Sequence, residues 1–406
     1  MTYLSVNNTV KEVITGMDTA TISKERRQNL IDALSFKEPK KVPIGAEVLS
    51  WPLAYAGVRY DDVIDDPPTI AREYVRFLDI IELDFIMGGF LSQPLKALHA
   101  LGNYSFRTGD DGTTLIHLQP EIDFMSAEEY PELIIDLVKF KEKTIKRRYP
   151  VFSLPKADAY EKVKDALCEL DKWSTANNLI SQYITKEKGI IPITGAPIGF
   201  ASPLTSLFDK FRGMKETLLD LRRRPDMLRA ACNALFEPMK ARISLLNPTD
   251  FSSPYPLATT VYHVECFISP SQFDEFFFDP FMELMMPFME AGLKFFVKGE
   301  GRFLNTIDRY RKLPKGAVVF MLDEDDPFEA YKAIGDWQSI ATGITADLLK
   351  VGTKEQCTDF VKKCFDVFAP GGGFIFMQNK PLLCATDAKT ENLIAVYETA
   401  NELSLA

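Results

Sequence analysis

The chain has 406 residues, of which 46% are hydrophobic and 26% are charged, and its formal net charge is -10. These proportions are typical of a globular protein with a core large enough to hold a buried site. The acidity, with no basic tract to offset it, argues against nucleic acid as a partner. No stretch approaches the roughly 18 apolar residues of a membrane span.

The six cysteines are scattered along the chain, and no two of them form a CxxC pair. A chain of this length needs no disulfide framework, so we expect reduced thiols and a cytoplasmic location. The N-terminus lacks an apolar signal segment, so we expect neither secretion nor membrane insertion.

The N-terminal region divides into a polar arm, residues 1–22, and the start of a single domain, residues 23–406. Ser23–Leu34 is predicted to be a helix with Ser23 as its N-cap and with Ile31 and Leu34 on its buried face. Short apolar runs then alternate with helical patterns. They predict eight strands, at 41–48, 83–88, 189–196, 259–266, 293–298, 317–322, 339–343 and 373–377.

One insertion interrupts this alternation. Residues 99–118 are predicted to form a hairpin that turns at Gly109–Gly112, and charged helical stretches follow at 126–148 and 156–188. The alternation itself indicates a mainly parallel sheet with helices outside it. Eight units favour a (β/α)8 barrel, with an N-terminal helical extension and a hairpin insertion. No GxGxxG motif follows the first strand, which weakens a dinucleotide-binding interpretation.

In a barrel, reactive groups lie just past the carboxyl ends of the strands. This rule selects candidates without reference to any family. They are Glu47, Trp51, Met87, Gly89, Pro197, Phe200, Tyr262, His263, Glu265, Cys266, Lys298, Glu300 and Asp323. His263 and Glu265 are two residues apart and are expected to share one face of their strand, as are Lys298 and Glu300.

Each candidate has a purely structural alternative. A single histidine in an apolar run is more often a core residue than a catalyst, but the neighbouring Glu265 and Cys266 make the two interpretations of His263 about equally favoured. Lys298 and Glu300 could form an exposed ion pair. The triple glycine Gly371–Gly373 could be a turn or could give room for a bulky ligand. His99 and His117 flank the hairpin and are assigned to structure.

Six segments resemble one known family when taken in order and spacing. They are RRQNLIDALSFKEPKKVPIG, ELDFIMG, FISPSQFDEFFFDPFMELM, FVKGEG, GITADLLKVGTKEQ and DAKTENLIAVYE. From about residue 23 to its end, the chain resembles the uroporphyrinogen decarboxylase superfamily. The resemblance implies a (β/α)8 barrel, in agreement with the pattern of strands and helices.

Two activities of that superfamily are not expected here. Its porphyrinogen decarboxylases have an N-terminal arginine motif and an aspartate after the second strand, whereas VPIGAEVLSWP has no arginine and FIMGG has no aspartate. An octa-anionic substrate would keep uncompensated carboxylates. Its coenzyme M methyltransferases bind zinc through His-x-Cys and a later Cys. The matching positions here are Lys298–Glu300 and Gly371–Gly373, so a thiolate-rich zinc site is not expected.

The resemblance leaves the corrinoid-dependent, O-demethylase-like branch of anaerobic one-carbon metabolism. Such enzymes pass a methyl group from a donor, such as a methoxylated aromatic, to cob(I)alamin on a partner corrinoid protein. Cob(I)alamin supplies the nucleophile, so the enzyme must help the leaving group depart through a general acid or a Lewis-acidic metal. We predict as catalytic residues Glu300, Lys298, His263 and Asp323, and as substrate-binding residues Glu47, Trp51, Met87, Phe200 and Tyr262.

A metal site is a further hypothesis, with His263, Glu265, Cys266 and Glu300 as candidate ligands and zinc as the candidate ion. Cys266 could instead be a small core residue. Two other functions remain open: a decarboxylase or lyase acting on a small carboxylic acid, and a catalytically degenerate binding protein. A homodimer is a common assembly for barrels, and the 99–118 insertion could contribute to it.

Overall fold

The computed structural model describes residues 18–88, 90–117, 124–193, 198–254 and 258–405. Its strands are β1 (Gly45–Ala46), β2 (Phe85–Met87), β3 (Phe106–Thr108), β4 (Leu115–His117), β5 (Ile191–Ile193), β6 (Ala258–Tyr262), β7 (Phe295–Gly299), β8 (Val318–Leu322), β9 (Ser339–Ile344) and β10 (Phe374–Gln378). Parallel pairing gives one sheet of order β1-β2-β5 and one of order β6-β7-β8-β9-β10. The fold is therefore mixed α/β with parallel strands.

Two isolated parallel bridges connect the sheets. They join Ile44 to Phe376 and Val48 to Leu382, and so place β1 beside β10. Within the described ranges, the eight parallel strands therefore form one series that starts at β6 and ends at β5. Residues 194–197 and 255–257, which adjoin the two end strands of this series, lie outside the described part of the chain.

The α-helices of the described ranges are numbered α1 to α17 in chain order. They are Thr19–Leu34, Trp51–Tyr55, Tyr60–Val63, Pro67–Tyr74, Leu95–Ala100, Tyr130–Ile135, Leu137–Arg148, Lys156–Gln182, Pro203–Leu207, Gly213–Arg223, Pro225–Ile243, Pro270–Phe273, Asp279–Glu290, Pro327–Ile334, Ala346–Val351, Lys354–Phe368 and Thr390–Leu403. Three π-helical segments, Tyr183–Glu187, Phe208–Arg212 and Asp274–Phe278, adjoin α8, α9 and α12. In the described ranges, no helix is both long and apolar enough to cross a membrane.

The eight predicted strands are all present, although several are shorter than predicted. The predicted hairpin is confirmed over the described residues, with β3 and β4 antiparallel and Gly109 N–H donating to Thr114 O at 2.8 Å. The predicted helix start is wrong by four residues. The helix begins at Thr19, because the carboxylate of Asp18 accepts a hydrogen bond from Thr21 N–H at 2.9 Å and caps it. Residues 1–17 lie outside the described part of the chain.

One buried cluster draws side chains from both sheets. It contains Phe85, Met87, Ile191, Ile193, Phe296, Val319, Met321, Ala341, Ile375 and Met377, together with Leu30, Ala33 and Leu34 of α1. Two larger clusters lie between the strands and the surrounding helices. Because side chains alternate along a strand, β2 and β7 to β10 each contribute one set of residues to the inner cluster and the other set to the helix layer.

The triple glycine lies at the amino end of β10, against the segment that follows α1. All three glycines have positive φ, and a Cβ on Gly372 would lie 2.6 Å from Lys37 O. The triple glycine is therefore a turn in which the backbone passes too close to Lys37 for a side chain. The prediction that Gly371–Gly373 occupies the position of a thiolate ligand is wrong, because that end of β10 is opposite the carboxyl edge. The residues at the carboxyl end of β10 are Gln378–Lys380.

Candidate functional site

The carboxyl end of β6 differs from that of the predicted strand, 259–266. The strand stops at Tyr262, and residues 263–267 turn away from it. His263 and Glu265 therefore do not share a strand face. Instead, the Glu265 carboxylate folds back and accepts hydrogen bonds from His263 N–H at 3.0 Å and Val264 N–H at 3.2 Å.

Glu265 is buried and fully engaged by neighbouring groups. Its Oε1 accepts from the hydroxyl of Ser202 at 2.7 Å and from that of Thr205 at 2.5 Å. Burial raises the pKa of its carboxyl, and these hydrogen bonds oppose the rise. Its role in the structure is to hold the turn that presents His263.

Replacing Glu265 by alanine is expected to lower the free energy of unfolding by roughly 3 kcal/mol, because two hydroxyls and two backbone amides lose their acceptor. Chemical denaturation measures the effect. Glu324→Ala, at an exposed carboxylate, is the control and is expected to change stability by less than ~0.5 kcal/mol. Equal stability of the two variants would contradict the structural role.

The imidazole of His263 is held between two carboxylates. Its Nδ1 lies 3.1 Å from both carboxylate oxygens of Asp209, and its Nε2 lies 3.7 Å from Glu300 Oε2. The hydrogen bond with Asp209 raises the pKa of His263, burial opposes the rise, and the charge of Glu300 adds to it. The site therefore favours the imidazolium form.

Asp209 was not predicted from the sequence. It lies in the π-helical segment Phe208–Arg212, which follows α9. A π segment inserts an extra residue into a helix and often marks a functional position. In the sequence SLFDKFR, no motif distinguishes this aspartate from a surface residue, so only the tertiary structure identifies it.

Glu300 follows β7 and meets several charged groups. Its side chain is 61% exposed. Partial burial nevertheless raises the pKa of its carboxyl. The negative charges of Asp323 and Asp209 raise this pKa further, and the positive charges of His263 and Lys298 lower it. The four predicted catalytic residues, Glu300, Lys298, His263 and Asp323, are thus brought together around one point of the carboxyl edge.

Asp323, after β8, holds the loop that carries Glu300. Its Oδ2 accepts from Gly301 N–H at 2.8 Å, and its Oδ1 lies 2.9 Å from Lys380 Nζ. Asp325 acts in the same way, because its Oδ2 accepts from Phe303 N–H at 2.8 Å. Two aspartates, one on each side of Glu324, therefore fix the backbone on both sides of Arg302. This arrangement assigns Asp323 a positioning role in addition to its charge.

Lys298 pairs with Glu47 across the sheet series. The ammonium group contacts Glu47 Oε1, and the Glu47 side chain is almost fully buried. The backbone carbonyl of Glu47 accepts from Gln378 Nε2 at 2.6 Å, and Gln378 is held in turn by the hydroxyl of Tyr397 at 3.0 Å. The Lys298 charge is thus largely neutralised by a fixed carboxylate.

The predicted apolar contacts do not line the site. Trp51, Met87, Phe200 and Tyr262 are each at most 2% exposed. Tyr262 points into the helix layer, where its ring meets those of Phe273, Phe277 and Phe303 at centroid distances of 5.8, 4.7 and 5.3 Å. Their burial therefore gives no support to the prediction that these four side chains contact substrate. Gly89 and Pro197 lie outside the described residues.

Thr259 and Val261 occupy the opposite face of β6 and are partly exposed. Val261 lies in register with Lys298, and Lys298 with Met321. Because side chains alternate along β6, Thr259 and Val261 lie on the same side of the sheet as Lys298, whereas Tyr262 lies on the other side. They are candidates for substrate contact that sequence reasoning did not select.

The candidate metal ligands do not form a metal site. Among the described residues, no three side chains of His, Cys, Asp or Glu stand close enough together to hold a metal ion. Glu265 is already saturated by hydrogen bonds, and burial raises the pKa of the Cys266 thiol to about 11, so the free thiol is protonated at neutral pH. The donor set therefore does not fit zinc. Elemental analysis of the purified protein measures metal content directly.

The hairpin lies close to the site, although the sequence assigns its two histidines to structure alone. His117, at the end of β4, stacks on Phe106 with centroids 4.2 Å apart. Burial lowers the pKa of His117, the charge of Asp209 opposes this, and the charge of His263 adds to it. His117 therefore lies within electrostatic reach of the Asp209–His263 pair.

Comparisons with known proteins concern both the sequence and the fold. No protein-family model matches the chain, and no curated protein matches it. Among solved structures, the fold is similar to that of a methyltransferase from Methanosarcina mazei, with a TM-score of 0.55 and 12% sequence identity. The match covers 92% of this chain and 97% of that one. At this identity the likeness concerns the fold alone, and it extends over nearly the whole of both chains.

Proposed function

We propose that the protein is a methyltransferase that demethylates a small methylated donor, with a methoxylated aromatic as the best candidate. In this proposal the methyl group passes to cob(I)alamin on a partner corrinoid protein. The observation that carries the proposal is the His263 imidazole, held between the carboxylates of Asp209 and Glu300 at the carboxyl edge of parallel strands. The fold likeness to a methyltransferase supports the same class.

We further propose that the strands close into a (β/α)8 barrel of the uroporphyrinogen decarboxylase superfamily, working in the cytoplasm. The series of eight parallel strands and the inner cluster shared by both sheets support closure. Closure between β5 and β6 would place the charged groups described above together on the carboxyl-terminal rim of the barrel, as in other barrel enzymes.

The chain's part in the reaction is to assist departure of the leaving group. Cob(I)alamin supplies the nucleophile, so no nucleophilic side chain is required. An alkoxide or phenolate leaves poorly unless it is protonated as the carbon–oxygen bond breaks. The broken bond's electron pair stays on the donor oxygen, which takes a proton, while the methyl group passes to the corrinoid.

His263 and Glu300 hold that proton. Their Nε2 and Oε2 atoms are 3.7 Å apart, too far for a direct hydrogen bond but suited to bridging by an oxygen atom. Asp209 accepts the Nδ1 hydrogen, which orients the ring and keeps it protonated. Because the two groups interact, the proton belongs to the His263–Glu300 pair.

A methyl-transfer assay tests the proposal. Purified protein is incubated with cob(I)alamin and, in turn, with methoxyaromatics, methylamines and methylthiols, and methylation of the corrinoid is followed by absorbance. We expect methylation with a methoxyaromatic and stoichiometric release of the phenol. No methylation with any donor would contradict the proposal, and turnover of a carboxylic acid without corrinoid would favour the decarboxylase or lyase alternative.

A further inference from the structure

A groove of about 450 Å³ lies between α4, the 3-10 segment Val75–Asp79 and the carboxyl end of α8. Its apolar lining consists of Pro68, Ala71, Val75, Leu179 and Tyr183. Pro68 is exposed, and Leu179 and Tyr183 are partly exposed. No other segment of the described ranges fills this groove, and contiguous apolar surface is unfavourable in water. The groove is therefore typical of a docking surface.

The charges at the rim of the groove are balanced. Arg72 and Arg76 both pair with Glu73, at 2.9 and 3.0 Å. Asp79, also at the rim, is exposed. The formal charges of these four side chains cancel, so the rim presents no strong field to a highly acidic or highly basic partner. It suits an occupant that is close to neutral and apolar on one face.

The arm that precedes α1 contains a segment of this kind, residues 10–17. Its sequence, VKEVITGM, places apolar residues at positions i, i+3, i+4 and i+7, which lie on one face of a helix. They are Val10, Val13, Ile14 and Met17. Thr9 and Glu12 have the spacing of a capping box, and the charges of Lys11 and Glu12 cancel. A helix of eight residues is not stable alone in water, so this face needs a surface to pack against.

The described chain begins close to the groove. Asp18 caps α1, and a Cβ on Gly189 would lie 3.0 Å from Thr19 O. Gly189 comes six residues after Tyr183, and the π-helical segment Tyr183–Glu187 accounts for most of them. Six residues span at most about 22 Å, and a helix of eight residues is about 12 Å long. A helix that ends just before Asp18 can therefore reach the groove while α1 stays intact.

We propose that residues 10–17 form a short helix that packs its apolar face into the groove between α4 and α8 of the same chain. This contact ties the amino end of α1 to two helices that pack outside the strands. The other end of α1 contributes Leu30, Ala33 and Leu34 to the inner cluster. The docked segment thus holds in place a helix on which the packing of both sheets depends.

Hydrogen–deuterium exchange of the full chain, read by mass spectrometry of its peptides, tests the proposal. The backbone amides of residues 11–17 are expected to exchange at least about 10-fold more slowly in the wild type than in Ile14→Asp, because that variant places a carboxylate on the packed face. Thr15→Asp is the matched control. It adds the same charge one residue further on, on the side of the helix away from the groove, and is expected to keep the protection.

A second pair of variants tests the groove itself. Leu179→Asp is expected to remove the protection of residues 11–17, whereas Asn178→Asp, at an exposed neighbour on α8, is expected to keep it. Thermal denaturation reports whether each variant is folded. Ile14→Asp and Thr15→Asp leave α4 and α8 unchanged, so they decide the result should Leu179→Asp unfold.

Three results would overturn the proposal. One is a wild-type segment that exchanges as fast as Ile14→Asp, and another is protection that survives in a folded Leu179→Asp. The third is protection that increases between about 1 and 100 μM protein, which would assign the groove's occupant to a second copy of the chain. None of these measurements depends on methyl transfer.

Discussion

Replacing Glu300 by glutamine is expected to lower the rate of methyl transfer by about 100-fold to 10,000-fold, the usual contribution of a general acid. Glutamine preserves the size of the side chain but can neither carry the shared proton nor support the charge on His263. The carboxylate is 61% exposed, so the substitution is expected to leave the folded protein intact. Steady-state kinetics and thermal denaturation measure the two effects.

Glu324→Gln is the control for this experiment. Glu324 is also a glutamate on the carboxyl edge, it is 51% exposed, and its partner is Arg302 at 3.6 Å. It is expected to retain wild-type activity. Full activity of Glu300→Gln would remove Glu300 from the proposed role, whereas loss in both variants would indicate a general electrostatic effect of the acidic edge.

Replacing Asp209 by asparagine is expected to move the alkaline limit of activity to lower pH. The hydrogen bond with Asp209 raises the pKa of His263, so the imidazolium persists above the ordinary range and is lost as pH rises through that raised value. Removing the charge lowers the pKa again. We expect activity to fall roughly 10-fold to 100-fold at pH 8 and to change little at pH 6. The pH–rate profile is the measurement.

The same linkage applies to stability. Because the pKa of His263 is raised in the folded state, the contribution of His263 to stability is fully present below its unfolded pKa and disappears as pH rises through its folded pKa.

Asp226→Asn is the control for Asp209→Asn, since Asp226 is 95% exposed and lies on another helix beside Arg229. If Asp209→Asn and Asp226→Asn give the same pH–rate profile, Asp209 does not act on His263.

The strand series could be predicted because its signal is local. Most strands of the second sheet are short apolar runs, such as Val318–Leu322, followed by a patterned helix, and such runs can be recognised without knowledge of the neighbouring strands. Strand ends were less accurate. The fourth predicted strand continued to Cys266, whereas β6 stops at Tyr262, because the Glu265 carboxylate captures two backbone amides and forms a turn.

The candidate site was predicted only in part. The rule that reactive groups follow strand ends found His263, Lys298, Glu300 and Asp323, which the structure brings together. The rule failed for Tyr262 and Phe200, because position near a strand end does not say which face a side chain takes. Both rings lie in the aromatic cluster under the helices. Asp209 was missed because its partner is 54 residues away in sequence.

By itself, the sequence determined the alternation of strands and helices, the hairpin, and a set of polar residues at the strand ends, since all of these depend on neighbours close in the chain. Only the tertiary structure decided which of those residues meet. The Asp209–His263–Glu300 arrangement, the pairing of Lys298 with Glu47 and the clamp from Asp323 and Asp325 each join separate segments. The raised pKa values of His263 and Glu300 arise from burial and from charges that become neighbours only when the chain folds.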